Sequence, residues 1–364
     1  MDFADRLVRA RTATAAAGLD ALLIGPGADL RYLTGYAAHL SERAVLLVLP
    51  ATGDPVLVVP RLERPSALAS PIGALGLEIL DWTDGEDPYG LVTKQLGRPG
   101  RVAVDDYLHA AKVLGLRTAL PEAEQVLAGP VLGPLRIRKA PDEVAALRAA
   151  GAAIDRVHRR MGEWLRPGRT EREVGRDLAE AILAAGHTSV DFTIVGSGPN
   201  GASPHHEVSD RVIQPGEPVV VDIGGTTAEG YCSDSTRTYV LGEPPADFAA
   251  YYPVLAEAQE SAVRAVRPGV TAGSVDAAAR DVITAAGYGE AFVHRTGHGI
   301  GVLTHEDPYI VGGNTQVLEP GMAFSIEPGI YLTGQHGARI EDIVVVTEDG
   351  VERLNRTTHA LVRL

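Results

Sequence analysis

Two aspartates stand in "VVVDIGGTTAEGYCSDSTRTYVL" (219–241) where a buried strand has no use for them. Val219, Val220, Val221 and Ile223 read as an apolar strand broken by Asp222, and Asp234 sits in a second strand-like run beyond the turn glycines Gly224, Gly225 and Gly230. Burying a carboxylate among apolar groups costs on the order of several kcal/mol unless a cation or strong donors neutralise it. Two further acids occupy similar settings, Glu327 before Pro328-Gly329 and Glu341 before Asp342, and His298 lies between glycines in "HRTGHGIG". Four acids that converge repel one another unless cations sit among them, so convergence would imply bound metal. Oxygen-rich ligation with one imidazole suits a hard or borderline divalent ion such as Mn²⁺.

Taken singly, each residue also has an ordinary reading. Asp222 and Asp234 could cap turns, Glu327 could be a charge at a strand end, Glu341-Asp342 could sit on an exposed edge, and His298 could be a hydrogen-bonded loop histidine. An internal repeat argues for the joint reading. "LRPGRTEREVGRDLAEAILAAGH" at 165–187 matches "VRPGVTAGSVDAAARDVITAAGY" at 266–288, with Arg-Pro-Gly and Ala-Ala-Gly at both ends offset by 101 residues. The same offset pairs Gly196 with Gly297 and Gly198 with Gly299, and one residue of slippage brings His205 onto His305. Offsets of 105 and 107 then set Asp222 on Glu327 and Asp234 on Glu341. Each half reads as a helix, a strand and a hairpin that carries two acids, and two such copies pack around a pseudo-twofold axis where the acids meet. The apolar spacing puts Val174, Leu178 and Ile182 of one helix, and Val275, Val282 and Ile283 of the other, against a curved antiparallel sheet.

Ahead of the repeat, apolar runs at 21–25, 44–50, 55–60, 77–80 and 101–105 alternate with helix-like pieces, as in an α/β domain. A stretch rich in proline and glycine leads to the helix opened by Pro141, Asp142 and Glu143, which predicts domains at 1–133 and 134–364. A chain of 364 residues is long enough for two cores. The net charge of −14 disfavours nucleic acid and anionic membrane as partners and leaves small molecules or peptides. Cys232 is the single cysteine and the first residues read as an amphipathic helix, so the expected location is the cytoplasm.

The motifs "VDIGG", "SDSTRT", "GHGIG", "IEPGIY" and "RIEDIVVV", in that order, resemble the metallopeptidase family with the pita-bread fold. With "DLRYLTGY" at 29–36, the chain is similar to the aminopeptidase P and prolidase branch of that family. The resemblance implies an α+β protein, a small creatinase-like α/β domain followed by the pita-bread domain, usually a homodimer. It also implies two divalent ions, Mn²⁺ first and Co²⁺ or Zn²⁺ as alternatives. Asp222 would hold one ion, Asp234 and Glu341 would bridge the pair, and His298 and Glu327 would complete the second. A hydroxide between the ions would be the nucleophile, with Glu327 as general base. His205 and His305 would contact the substrate and the tetrahedral intermediate and His294 would be a further active-site histidine, while Tyr331, Arg339 and Thr236 would hold ligands in place. His206 receives no role.

The expected activity is hydrolysis of Xaa-Pro dipeptides. The alternatives are release of the first residue from Xaa-Pro-Yaa peptides, as in aminopeptidase P, and a non-catalytic binding module of the same fold. A dipeptidase must meet a free carboxylate beyond the proline. The short connection "LTGQHGA" between "IEPGIY" and "RIED" contains no arginine, so Arg43, before a strand of the first domain, is the substrate-binding candidate.

Overall fold

The apolar runs of the first third of the chain all become strands. β1 (Ala21–Ile24), β2 (Leu46–Pro50), β3 (Val56–Pro60), β4 (Glu78–Trp82) and β5 (Arg101–Val104) coincide with them, and β6 (Glu124–Leu127) is added at an edge. The computed structural model describes all 364 residues, and they form two compact units, Met1–Arg136 and Ile137–Leu364. In the first unit the sheet order is β4-β3-β2-β1-β5-β6. β1 pairs antiparallel with β2 and parallel with β5, which places β1 in the middle, where all four of its residues are buried. The segment rich in proline and glycine is not an open linker. Gly129–Arg136 is a helix with Val131 and Leu132 buried, and the division between the units falls after it. Pro130 occupies its first turn, where a missing N–H costs nothing.

The second unit contains both copies of the repeat. Helix Glu171–Ala184 leads to β7 (His187–Ser197), β8 (Pro218–Thr227) and β9 (Cys232–Val240), and helix Ala272–Ala285 leads to β10 (Gly297–Gly299), β11 (Glu306–Ile310) and β12 (Ala323–Ile326). A hairpin of β13 (Gly329–Leu332) and β14 (His336–Arg339) is inserted before β15 (Asp342–Val346), which is followed by β16 (Val351–Arg353) and β17 (Val362–Arg363). The sheet orders are β17-β9-β8-β7 and β11-β10-β12-β15-β16. The expected curved antiparallel sheet is divided into these two sheets, with the β13–β14 hairpin apart, because β9 and β15 do not form a ladder. The start of β15 is joined to the middle of β9 by the Glu341 N–H, which donates to the Thr236 carbonyl at 3.1 Å.

Thr170 caps the first repeat helix with its side chain, and Glu173 returns the bond to the Thr170 N–H. Val174, Leu178 and Ile182 are fully buried against β7 to β9. In the second copy Val275 and Ile283 are buried as expected, but Val282 lies at the margin and Ala279 takes the inward place. Positions 275, 279 and 283 are successive i+4 steps, which keep one face. Leu178→Ala is expected to cost about 2–5 kcal/mol. Leu183→Ala, on the exposed side of the same helix, should stay within about 0.5 kcal/mol. Urea unfolding of the two variants checks the contrast.

Candidate metal centre

Strand parity decides which side chains can meet. Val219, Val221 and Ile223 of β8 and Tyr239 of β9 pack beneath helix Glu171–Ala184. Asp222 of β8 and Asp234, Thr236 and Thr238 of β9 therefore project from the opposite face, with Asp222 directly across from Thr236. In the other half, Phe324, Ile326, Val344 and Val346 pack beneath helices Ala246–Ala265 and Ala272–Ala285. Glu327 and Glu341 stand one step beyond the Ile326–Asp342 pair and share the side of Ser325 and Ile343, away from those helices. His298 comes from the short strand β10, squeezed between β11 and β12. A Cβ at Gly297 would lie 1.8 Å from the Ser325 carbonyl oxygen, and one at Gly299 would lie 2.1 Å from that of Asp307. Glycine on both sides is thus required for the imidazole to arrive there.

The five residues meet. The ligand atoms of Asp234, His298 and Glu341 lie within 4.8 Å of one another. His298 Nε2 is 3.2 Å from Glu327 Oε1 and 3.6 Å from Asp234 Oδ2. Arg339 reaches Asp222 Oδ2 at 2.6 Å, Thr236 Oγ1 at 3.0 Å and the Tyr331 hydroxyl at 2.7 Å. Thr236 Oγ1 in turn donates to Glu341 Oε2 at 2.8 Å. Asp222 Oδ1 and Glu341 Oε1 are buried with no hydrogen-bond partner. Burial, and then the neighbouring carboxylates, push both Asp234 and Glu341 well above the usual carboxylate range.

The chemistry of this donor set fits a divalent cation. The Gly299 carbonyl, 3.1 Å from His298 Nδ1, can only accept, so the hydrogen is on Nδ1 and Nε2 turns a lone pair towards two carboxylates. Burial works against the Glu327 charge, but the His298 ring beside it, with help from His294 and Arg339, wins and holds the carboxyl below its usual range, which relieves that contact in one way. A cation among the oxygens relieves it in another, and it also satisfies the two orphaned oxygens.

These groups line a cavity of about 670 Å³, together with Phe192, Ile194, Pro204, His205, His206, Glu207, His294, Arg295 and His305. His305 packs against His298 with ring centroids 4.1 Å apart. Desolvation, and then repulsion from His298 and Arg295, favours its neutral ring. His294 also reaches the wall, but both of its nitrogens are engaged, Nδ1 by the Arg295 carbonyl at 2.7 Å and Nε2 by the Tyr331 hydroxyl at 2.8 Å. Both ring nitrogens of His294 are thus held by the protein, and the Tyr331 hydroxyl links Arg339 to His294.

Arg43 departs from the expectation. It lies in the first unit, where Asp84 takes its fork through two bonds of 2.9 and 2.8 Å and Glu42 takes a third at 2.7 Å. A guanidinium paired in this way is not the free fork that a substrate carboxylate needs. Arg295, which sequence reasoning passed over, is the cavity arginine with no carboxylate on it; its guanidinium is stacked over Tyr309 at 4.5 Å. Adjacency to the "GHGIG" motif was the one available signal.

Comparison with known proteins gives two family matches, the metallopeptidase family M24 over residues 145–348 and the creatinase/prolidase N-terminal domain over 6–138. The chain is 58% identical over 361 residues to the probable dipeptidase PepE of Mycobacterium bovis, covering 99% of this chain and 96% of that one. It is 37% identical over 352 residues to the Xaa-Pro dipeptidase of Lactobacillus delbrueckii subsp. lactis, covering 94% and 95%. The crystal structure of prolidase from Thermococcus sibiricus superposes with a TM-score of 0.95 at 37% identity over 100% of both chains.

The buried Arg339–Asp222 pair has an energetic consequence. Arg339→Met leaves Asp222 without its cation, and losing one partner of a buried pair costs about 3–5 kcal/mol. Urea unfolding should show that loss, reduced when a divalent ion is supplied to compensate Asp222.

Proposed function

The chain belongs to metallopeptidase family M24, and on that footing we propose that it hydrolyses Xaa-Pro dipeptides, with Asp222, Asp234, His298, Glu327 and Glu341 holding two divalent ions. Its fold is the pita-bread domain preceded by the smaller creatinase-like α/β domain. The observation that carries the reading is the convergence of four acids and one imidazole on a single cavity, with orphaned oxygens on Asp222 and Glu341. The oxygen-rich set makes Mn²⁺ the working ion of the proposal. A homodimer acting in the cytoplasm completes it, on the likeness to prolidases and on a lone buried Cys232.

Asp222, Asp234, His298, Glu327 and Glu341 would hold the divalent metal, which when bound would supply Lewis acidity, lowering the pKa of water towards neutrality and polarising the scissile carbonyl. Glu327 takes the proton: Ser325 Oγ holds its Oε1 at 3.1 Å, and its Oε2 has no protein partner. Microscopic economy then makes Glu327 the donor to the departing proline nitrogen. His205 and His305 line the cavity with no hydrogen bond to the protein, so their ring N–H groups are available to the developing oxyanion. Proline at the second position offers no N–H, so it must be recognised by shape; Phe192, Ile194 and Pro204 supply apolar wall. An arginine free of carboxylates on that wall favours a substrate that brings its own, as a dipeptide does.

Glu341→Ala is expected to lose bound divalent ion and nearly all turnover while the fold persists, as measured by elemental analysis, activity and circular dichroism. Full metal content with native activity in that variant would sink the site assignment. Steady-state kinetics on Xaa-Pro against Xaa-Pro-Yaa, with Mn²⁺ present, should give the higher kcat/KM for the dipeptide. Efficient tripeptide cleavage with dipeptides ignored moves the reading to aminopeptidase P.

A further inference from the structure

A second buried carboxylate has no part in that chemistry. Glu171, at the first turn of helix Glu171–Ala184, is fully buried. Its Oε1 accepts from the Ser197 N–H at 2.8 Å and the Ser197 hydroxyl at 2.7 Å. Its Oε2 accepts from His206 Nε2 at 2.7 Å and from the Ser209 hydroxyl, and Asn200 Nδ2 lies 3.0 Å from both oxygens. Burial opposes ionisation here, but the hydrogen bonds from Ser209, Ser197 and His206 win and hold Glu171 below its usual range. An ionised carboxylate only accepts, so the His206 ring must donate.

All of these donors come from one segment, 197–209, whose residues 203–209 lie outside any helix or strand. A backbone bond from the His206 N–H to the Ser203 carbonyl at 3.2 Å closes a turn over 203–206. His205 is the third residue of that turn and makes no hydrogen bond of its own. One leg of the turn is held by Arg339, 3.4 Å from the Pro204 carbonyl. The other leg is held by His206 on Glu171.

We propose that Glu171 and His206 are a positioning pair that anchors this turn so that His205 faces the substrate, a role that rests on the assignment of His205 above. His206 and Glu171 touch no reacting atom in this scheme. The fixed turn replaces a search by a flexible segment, and a displacement of about 1 Å at such a group can cost on the order of 100-fold.

The test is a set of variants in the full-length, Mn²⁺-loaded protein, with kcat/KM on an Xaa-Pro dipeptide, metal content and thermal unfolding measured for each. His206→Leu should lower kcat/KM by about 10- to 100-fold with metal content and unfolding midpoint near native. His206→Gln, whose amide N–H reaches the same carboxylate, should recover most of the loss. In a His205→Ala background His206→Leu should have no further effect, since both act through one group. If His206→Leu lowers the rate by the same factor with and without His205, or if glutamine fails to rescue, the positioning role is overturned. A fully active His205→Ala variant overturns the assignment of His205 itself, and the pairing with it.

Discussion

Mutual repulsion among Asp222, Asp234, Glu327 and Glu341 is the constraint on which this structure depends. Carboxylates this close spread apart unless the backbone beneath them cannot yield. Asp222 and Asp234 lie inside ladders, β8 being paired on both sides, so neither can retreat without breaking several backbone bonds. Glu327 and Glu341 sit where β12 and β15 end, and their restraint comes from elsewhere. The inserted hairpin β13–β14 supplies Tyr331 and Arg339, and Thr236 joins them to the first half. Arg339 is thus the one fixed cation within the acids, fully enclosed and bonded to both halves of the repeat. A rigid cage that keeps like charges together is also preorganised for a cation of suitable charge, because no reorganisation is needed when it binds.

Much of this was legible in the chain itself. The four acid positions could be paired because a duplicated sequence leaves its register visible, and the strands of the first unit announced themselves as apolar runs. The edge strand β6 did not, since "EQVL" is short and half-exposed and carries no pattern to separate it from a loop. Val282 was misplaced because a helix face is set to within one residue by packing, not by hydrophobicity alone. Glu171 was illegible for a different reason. Within its helix it looks like an ordinary acidic residue of the first turn, and its partners lie 26 to 38 residues further on, in a segment with no periodicity to read. Arg43 failed in the same way, because Asp84, 41 residues away, occupies its fork.

The two copies share the register of their glycines and acids but not their chemistry. The offset of 101 residues that superimposes Gly196 on Gly297 and Gly198 on Gly299 sets Ser197 on His298. At one site of the repeat the residue between the glycines offers an imidazole to the acids, and at the other it offers a hydroxyl to Glu171. Two identical copies of the second half would bring two imidazoles and no anchored turn. Two of the first would bring two anchored turns and no imidazole. The broken symmetry at this single pair of positions therefore gives the two halves different work: one turns an imidazole to the acids, and the other fixes the buried carboxylate on which His206 rests.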